Sequence, residues 1–301
     1  MKKRIKWLVT GAAVILAFSA LTGCTSEEEK KAAAKFQAEA DKYAEGNNYE
    51  AAQKSMKKAL EQTPKDEELL KASEKLDKKA EEMNAYSKTM EAAITAIEAD
   101  DANALNELQN SDAGKALAEM IGNEGNYVYI PEGSKTGKGI GYYSFADCEC
   151  NEWYYGDYKD GIREGNGIWY YVNSDMNGGA LYKEVYNGQW SADKPNGTGH
   201  QYIASGDTVH TDQDYTVKDG LFYGTYPVND TLEDGTAVTG NYTLADGKYQ
   251  TISDEELIAN SFAVPAEPHL AIAFLYDASG AIRSCTMVYA QDVTEGVAHF
   301  R

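Results

Sequence analysis

The spacing of glycine and aromatic residues in the second half of the chain constrains its fold more than any other feature. Tyr154 to Trp169 reads YYGDYKDGIREGNGIW, and Tyr186 to Tyr202 reads YNGQWSADKPNGTGHQY. Each holds an aromatic (Tyr154, Tyr186), a glycine two residues on (Gly156, Gly188), a second aromatic two beyond (Tyr158, Trp190), and a closing Gly-x-Gly: Gly165 and Gly167, Gly197 and Gly199. Such repetition means that one small unit recurs and buries its face on the next. Residues two apart share a strand face, so Tyr154, Gly156 and Tyr158 point the same way. Lys159-Asp160-Gly161 reads as a hairpin turn needing positive φ at Gly161, and Asp193, at the matching position, is among the few residues that tolerate it. Gly165 and Gly167 lack side chains, so rings of a neighbouring unit are expected to lie over them.

Weaker units flank this pair. Gly133, Gly137 and Gly139 keep the spacing, with Ile130 in the aromatic position; Gly220, Gly224 and Tyr226, then Gly240, Tyr242, Asp246 and Gly247, keep parts of two more. The polar insertions Asn173 to Ala180 and Ser205 to Asp214 belong in loops. The spacing resembles the MORN repeat, Y-x-G-x-W-x-x-G-x-x-x-G-x-G. That resemblance implies antiparallel hairpins stacked into an elongated sheet, and a scaffolding role, with lipid contact in some members.

The region before Gly122 is built differently, of Ala, Glu, Lys and Leu at helical spacing. Tyr49, Ala52, Met56, Ala59 and Pro64, with Gly46 near the turn, resemble the second half of a tetratricopeptide repeat, although Gly46-Asn47-Asn48 makes the turn one residue longer. Pro64 stops the second helix. Leu69, Leu76, Met83, Met90 and Ile97 recur every seven residues, interleaved by Ser73, Ala80, Ser87 and Ile94. One helix from about Asp66 to Ala99 fits, with two helices breaking near Asn84 as the alternative. The stripe either packs on the preceding hairpin, the favoured reading, or marks a dimeric coiled coil. Asp101 to Leu108 and Ala113 to Ile121 read as short helices. Gly122 to Gly125 is the boundary, where alternation replaces helical periodicity.

The first residues read as a targeting segment. Met1 to Lys6 is basic, Trp7 to Leu21 is apolar and shorter than the roughly 20 residues a spanning helix needs, and Thr25 to Glu29 is a polar tether. Leu21-Thr22-Gly23-Cys24 resembles the lipobox of bacterial lipoproteins. That resemblance implies removal of residues 1–23 and acyl chains on Cys24, which anchor the protein to the outer face of the cytoplasmic membrane.

The formal net charge of −20 disfavours nucleic acid, whose binding needs Lys and Arg to neutralise phosphates, and broad contact with an anionic lipid face. His200, His210, His269 and His299 lack partners at metal or catalytic spacing. Cys148-x-Cys150 is not a zinc pair, and a bridge from one of these cysteines to Cys285 is open in an oxidising exterior. The sequence has no nucleophile elbow, phosphate loop or H-E-x-x-H, and paired carboxylates are too abundant to discriminate. Tyr is the compositional outlier, 22 against 7 Phe, and it suits half-exposed sheets and contact surfaces.

These readings give an α+β chain: leader 1–23, tether 24–29, helical region 30–122, MORN-like sheet 126–250, and 251–301 as a helical turn plus a hairpin capping the sheet. Tyr154, Gly156, Tyr158, Gly165, Gly167, Trp169, Tyr186, Gly188, Trp190, Gly197 and Gly199 are expected as framework; a subset, with Trp153, Tyr170 and Tyr171, is the alternative exposed binding strip. Neither catalytic residues, metal nor cofactor are expected. The function implied is a non-enzymatic, membrane-anchored scaffold for a protein partner, with dimerisation through the helices as an option. Binding of envelope glycan, or less readily a wall-acting enzyme, is the alternative.

Overall fold

Capping side chains set where each helix begins. Ser26 and Glu29 form a reciprocal capping box at the start of α1 (Glu27–Glu45). Asn48 caps α2 (Tyr49–Gln62), Asp66 caps α3 (Glu67–Glu98), Asp101 caps α4 (Ala102–Asn110) and Ser111 caps α5 (Asp112–Ile121). In each the side-chain oxygen accepts an N–H that the helix leaves without an internal partner. The structure, a computed structural model, describes residues 25–122, 125–145, 150–174 and 179–295. Cys24, the leader, Cys148 and His299 lie outside the described residues.

Beyond residue 125 the chain is almost wholly strand. β1 (Asn126–Tyr129), β2 (Gly137–Phe145), β3 (Cys150–Lys159), β4 (Ile162–Asn173), β5 (Tyr182–Ser191), β6 (Lys194–Ser205), β7 (Thr208–Lys218), β8 (Leu221–Thr231) and β9 (Ala237–Ala245) follow one another both in sequence and across the sheet. The short β10 (Lys248–Tyr249) folds back on β9. After α6 (Asp254–Ala259), capped by Ser253, the hairpin β11 (His269–Tyr276) and β12 (Ile282–Tyr289) completes a 12-stranded antiparallel sheet, and α7 (Ala290–Glu295) follows. The fold is α+β, as the sequence patterning requires. The last hairpin enters the sheet as its final two strands, and among the described residues no strand follows β12.

Two-residue turns set the register. Asp160 and Gly161, Ala192 and Asp193, Asp219 and Gly220, and Asp246 and Gly247 all have positive φ, the mirror-image turn whose twist matches paired strands. Successive turns are joined: the N–H groups of Gly161, Asp193, Gly220 and Gly247 donate to the carbonyls of Lys135, Arg163, Pro195 and Phe222 in the preceding hairpin. Neighbouring hairpins are thereby held in step along one margin of the sheet.

α3 is one unbroken helix, and its apolar stripe divides between two partners. Leu69 packs with Ala33, Ala40, Met56 and Ala59 of the α1–α2 pair. Met83, Met90 and Ile97 pack with α4, α5 and one face of β1 to β5, among them Tyr127, Tyr142, Trp153 and Tyr170. The expectation that the stripe packs on the preceding hairpin holds for its first turns; its second half joins helices and sheet in one core. Ser87, which weakens any coiled-coil seam, donates its hydroxyl to the carbonyl of Asn47 at 2.9 Å.

Candidate interaction surface

Both faces of the sheet are occupied between β1 and β5. On the helix-covered face lie Trp153 and Tyr170, which are 0% and 1% exposed, so the exposed strip expected to include them is absent; Tyr171, on the other face, is half-buried. Tyrosine hydroxyls at the rim of this core reach carboxylates of α3 and the residues just after it. Tyr129 donates to Glu91 at 2.6 Å, Tyr155 to Glu98 at 2.6 Å and Tyr170 to Asp100 at 3.0 Å, while Lys183 Nζ lies 2.6 Å from Asp100. Burial is the largest cause raising the pKa of all three phenols, and the facing carboxylates raise it further. The abundance of Tyr over Phe has a local reason here: the ring fills the core and the hydroxyl ties it to the helix.

The repeat residues fill the opposite face. The Tyr154 ring lies over Gly167 with its hydroxyl against Gly156, and the Tyr186 ring lies over Gly188 and Gly199; a Cβ at Gly167, Gly188 or Gly199 would meet ring atoms, and one at Gly156 would meet the Gly167 backbone and the Tyr154 hydroxyl. Gly156 pairs with Gly167, and Gly188 with Gly199, each across one hairpin. The ring over a glycine therefore belongs to its own hairpin, and not to the neighbouring one as the spacing suggested. Contact between hairpins comes from the second aromatic: Trp190 meets Tyr154 edge-on at 4.9 Å and its Nε1 donates to the Gly167 carbonyl at 3.3 Å. Tyr158 reaches back to Tyr143, hydroxyl to hydroxyl at 3.0 Å. Trp169 is buried there too, and Ile130 takes the place of the missing aromatic.

Several residues on this face were not legible as important. Arg163 is 1% exposed; its Nε donates to Asp193 Oδ1 at 2.6 Å, and its guanidinium lies 4.7 Å from the ring centres of both Tyr143 and Trp190. Asp193 thus departs from the glycine of the matching turn because its carboxylate holds this cation. Glu152 and Glu184 are buried, each two residues before a repeat tyrosine. Glu152 accepts from Trp169 Nε1 at 2.7 Å and Glu184 from Gln201 Nε2 at 2.8 Å. Because Trp169 pairs with Tyr154 and Gln201 with Tyr186, both hairpins use the same brace. The recurrence of Glu at that offset was the available signal.

The three described histidines, His200, His210 and His269, are exposed or half-buried. His200 lies between Asp212 and Asp214, 3.1 and 2.8 Å away, His210 bonds Ser205, and the His269 ring is 4.4 Å from that of Tyr289. Among the described residues no group of three or more metal-binding side chains converges. Cys150 is disulfide-bonded and Cys285 is free, so the bridge to Cys285 is not formed.

What remains is the pair of sheet edges, and they differ. The outer edge of β1 is covered by the α1–α2 turn. Ile130 N–H donates to the Gly46 carbonyl at 2.8 Å, and Asn47 and Asn48 side-chain amides donate to the Val128 and Pro131 carbonyls, each at 2.7 Å. Gly46 approaches so closely that a Cβ there would strike the Ile130 carbonyl and Gly133 Cα. β12, at the far end, pairs with β11 on one side only; among the described residues no strand joins its other side. Met287 and Tyr289 stand on it 50% and 57% exposed. The strand has no Pro or Lys, and its single charge, Arg283, is turned to Asp277 and Asp234. Long charge-poor edges of this kind are templates for another strand. Away from that edge, a cavity of about 420 Å³ opens between Asn229–Thr231, Ala237–Thr239 and Tyr276–Ala278, where β9 and β11 share a single residue pair.

No helix among the described residues is long and apolar enough to cross a membrane. No protein-family model matches the chain, and no curated protein matches it.

Proposed function

We propose that this protein is a non-enzymatic scaffold of the bacterial cell envelope, built of MORN-like hairpins, tethered by acyl chains on Cys24 and holding a protein partner by strand addition at β12. One observation carries the reading: both faces of the first five strands are packed, while among the described residues β12 has no strand on its outer side and exposes Met287 and Tyr289. Main-chain hydrogen bonds supply affinity in such docking, and alternate side chains supply selectivity. The disulfide on Cys150 fits the oxidising exterior that the leader and lipobox-like segment imply. The aromatic strip that favoured glycan loses its main members to the core.

The test is a photo-reactive side chain placed at Met287 in intact cells, with a second at exposed Met120 of α5 as control. A protein adduct specific to position 287 is expected. The same adducts from both positions, or none from 287, would remove the reading. Anchoring is checked separately: Cys24→Ser is expected to release the protein from the membrane fraction.

A further inference from the structure

We propose that the strand added to β12 is β12 of a second copy, paired antiparallel about a twofold axis so that two sheets become one. The inference rests on the strand-addition reading above and names its partner.

Three observations select this occupant. First, among the described residues the strands at the two ends of the sheet are β1 and β12, and β1 is covered by Gly46, Asn47 and Asn48. Pairing β12 of one copy to β1 of the next would generate an open filament, and the covered edge forbids it; β12 on β12 closes after two copies. Second, two chains of net charge −20 repel over most of their surfaces, but residues 278–291 contain no acidic residue and only Arg283 as a base. Antiparallel self-pairing centred near Cys285 brings this stretch against itself and sets the two Arg283 side chains on opposite sides of the axis. Third, Cys285 is free and half-buried in the middle of the strand, where the twofold brings it beside its counterpart. α7 packs against β10 as well as against β12.

Sedimentation of the purified chain over a dilution series tests the pairing. A species of twice the chain mass is expected at tens of micromolar, dissociating on dilution. Met287→Lys with Tyr289→Lys is expected to weaken it at least tenfold without changing the circular dichroism, since both side chains are exposed. A short bifunctional maleimide is expected to link two copies through Cys285, with the link lost in Cys285→Ser and not regained in a Cys285→Ser chain carrying Met120→Cys. This second readout stands if the lysine variant does not fold. A single-chain mass at every concentration, or a dimer indifferent to the lysines and without a Cys285 link, would overturn the inference. If the chain is single while position 287 still captures a different protein in cells, self-pairing fails and strand addition survives.

Discussion

The sheet is built twice over, and its two halves are stabilised differently. In β2 and β3 the middle of each strand is buried without a break, and β4 and β5 bury residues on both faces, because α3, α4 and α5 cover one face and interlocked rings cover the other. From β7 to β9 burial falls to one side: Tyr215, Val217, Phe222, Tyr226 and Leu244 pack on the ring face, and the reverse is exposed. Yet positive-φ turns recur in both halves. Hairpin formation is therefore a property of the turns, and two-sided packing is a property of where the helices reach. The seam shows in the pairing, since β7 and β8 share only three residue pairs, from Thr216↔Tyr223 to Lys218↔Leu221, and β8 then continues with β9.

Substitutions can break or sharpen this contrast, and the largest expected effect is at Trp153. Trp153→Ala opens a hole in the two-sided core and is expected to destabilise by about 4 kcal/mol, whereas Leu244→Ala, in the one-sided half, is expected near 2 kcal/mol. Equal shifts in the denaturant midpoint would mean the helices add little. Next comes Gly167→Val, which drives a side chain into the Tyr154 ring and is expected to lose about 3 kcal/mol; Gly220→Val, with open space around it, is expected to lose only about 1–2 kcal/mol, from the strained φ alone. Asp193→Gly restores the turn's more permissive residue, yet it removes the carboxylate from buried Arg163. It is expected to destabilise by about 2 kcal/mol, below the value for a fully buried pair because Asp193 is half-exposed; stabilisation would show that the pair is incidental.

A pH titration makes a smaller and more distributed change. Burial raises the phenols of Tyr127, Tyr143 and Tyr186 from the ordinary 10.0 to about 12. A raised folded value means the neutral form is favoured by folding, so this stability is complete below pH 10 and is lost as pH climbs through about 12. Tyrosinate absorbance is expected to lag that of free tyrosine above pH 10 and then rise together with unfolding. Rings ionising at pH 10 in an intact fold would contradict the packing of both faces.

Much of the architecture was legible because it rests on local rules. Asp66 and Ser253 mark helix starts by their own chemistry, and Asp-Gly pairs mark hairpins by their φ; Ser26 was read as part of the 24–29 tether, yet it caps α1, whose first turn takes up Glu27 to Glu29. What the sequence hid is tertiary. A heptad stripe reads the same whether its partner is a helix or a sheet, so Met83 and Met90 did not reveal that they face Tyr127 and Trp153. The rings could be placed over glycines by spacing, but which hairpin each glycine belonged to depended on strand pairing. The candidate surface was less legible still: an edge is defined by what fails to lie beside it, and no motif in residues 282–289 records that.

The α1–α2 turn gives the molecule a direction. A ribbon of paired strands is usually indifferent to which end grows; here a stopper precedes the first strand in chain order, so later strands can be laid down one after another only away from it. Length then becomes an adjustable quantity: a hairpin with its Asp-Gly turn can be inserted or lost in the run from β7 to β9 without disturbing the joint at Gly46 or the α3 core. The helices serve as a fixed origin, and the number of hairpins sets how far from that origin the last strand is displayed.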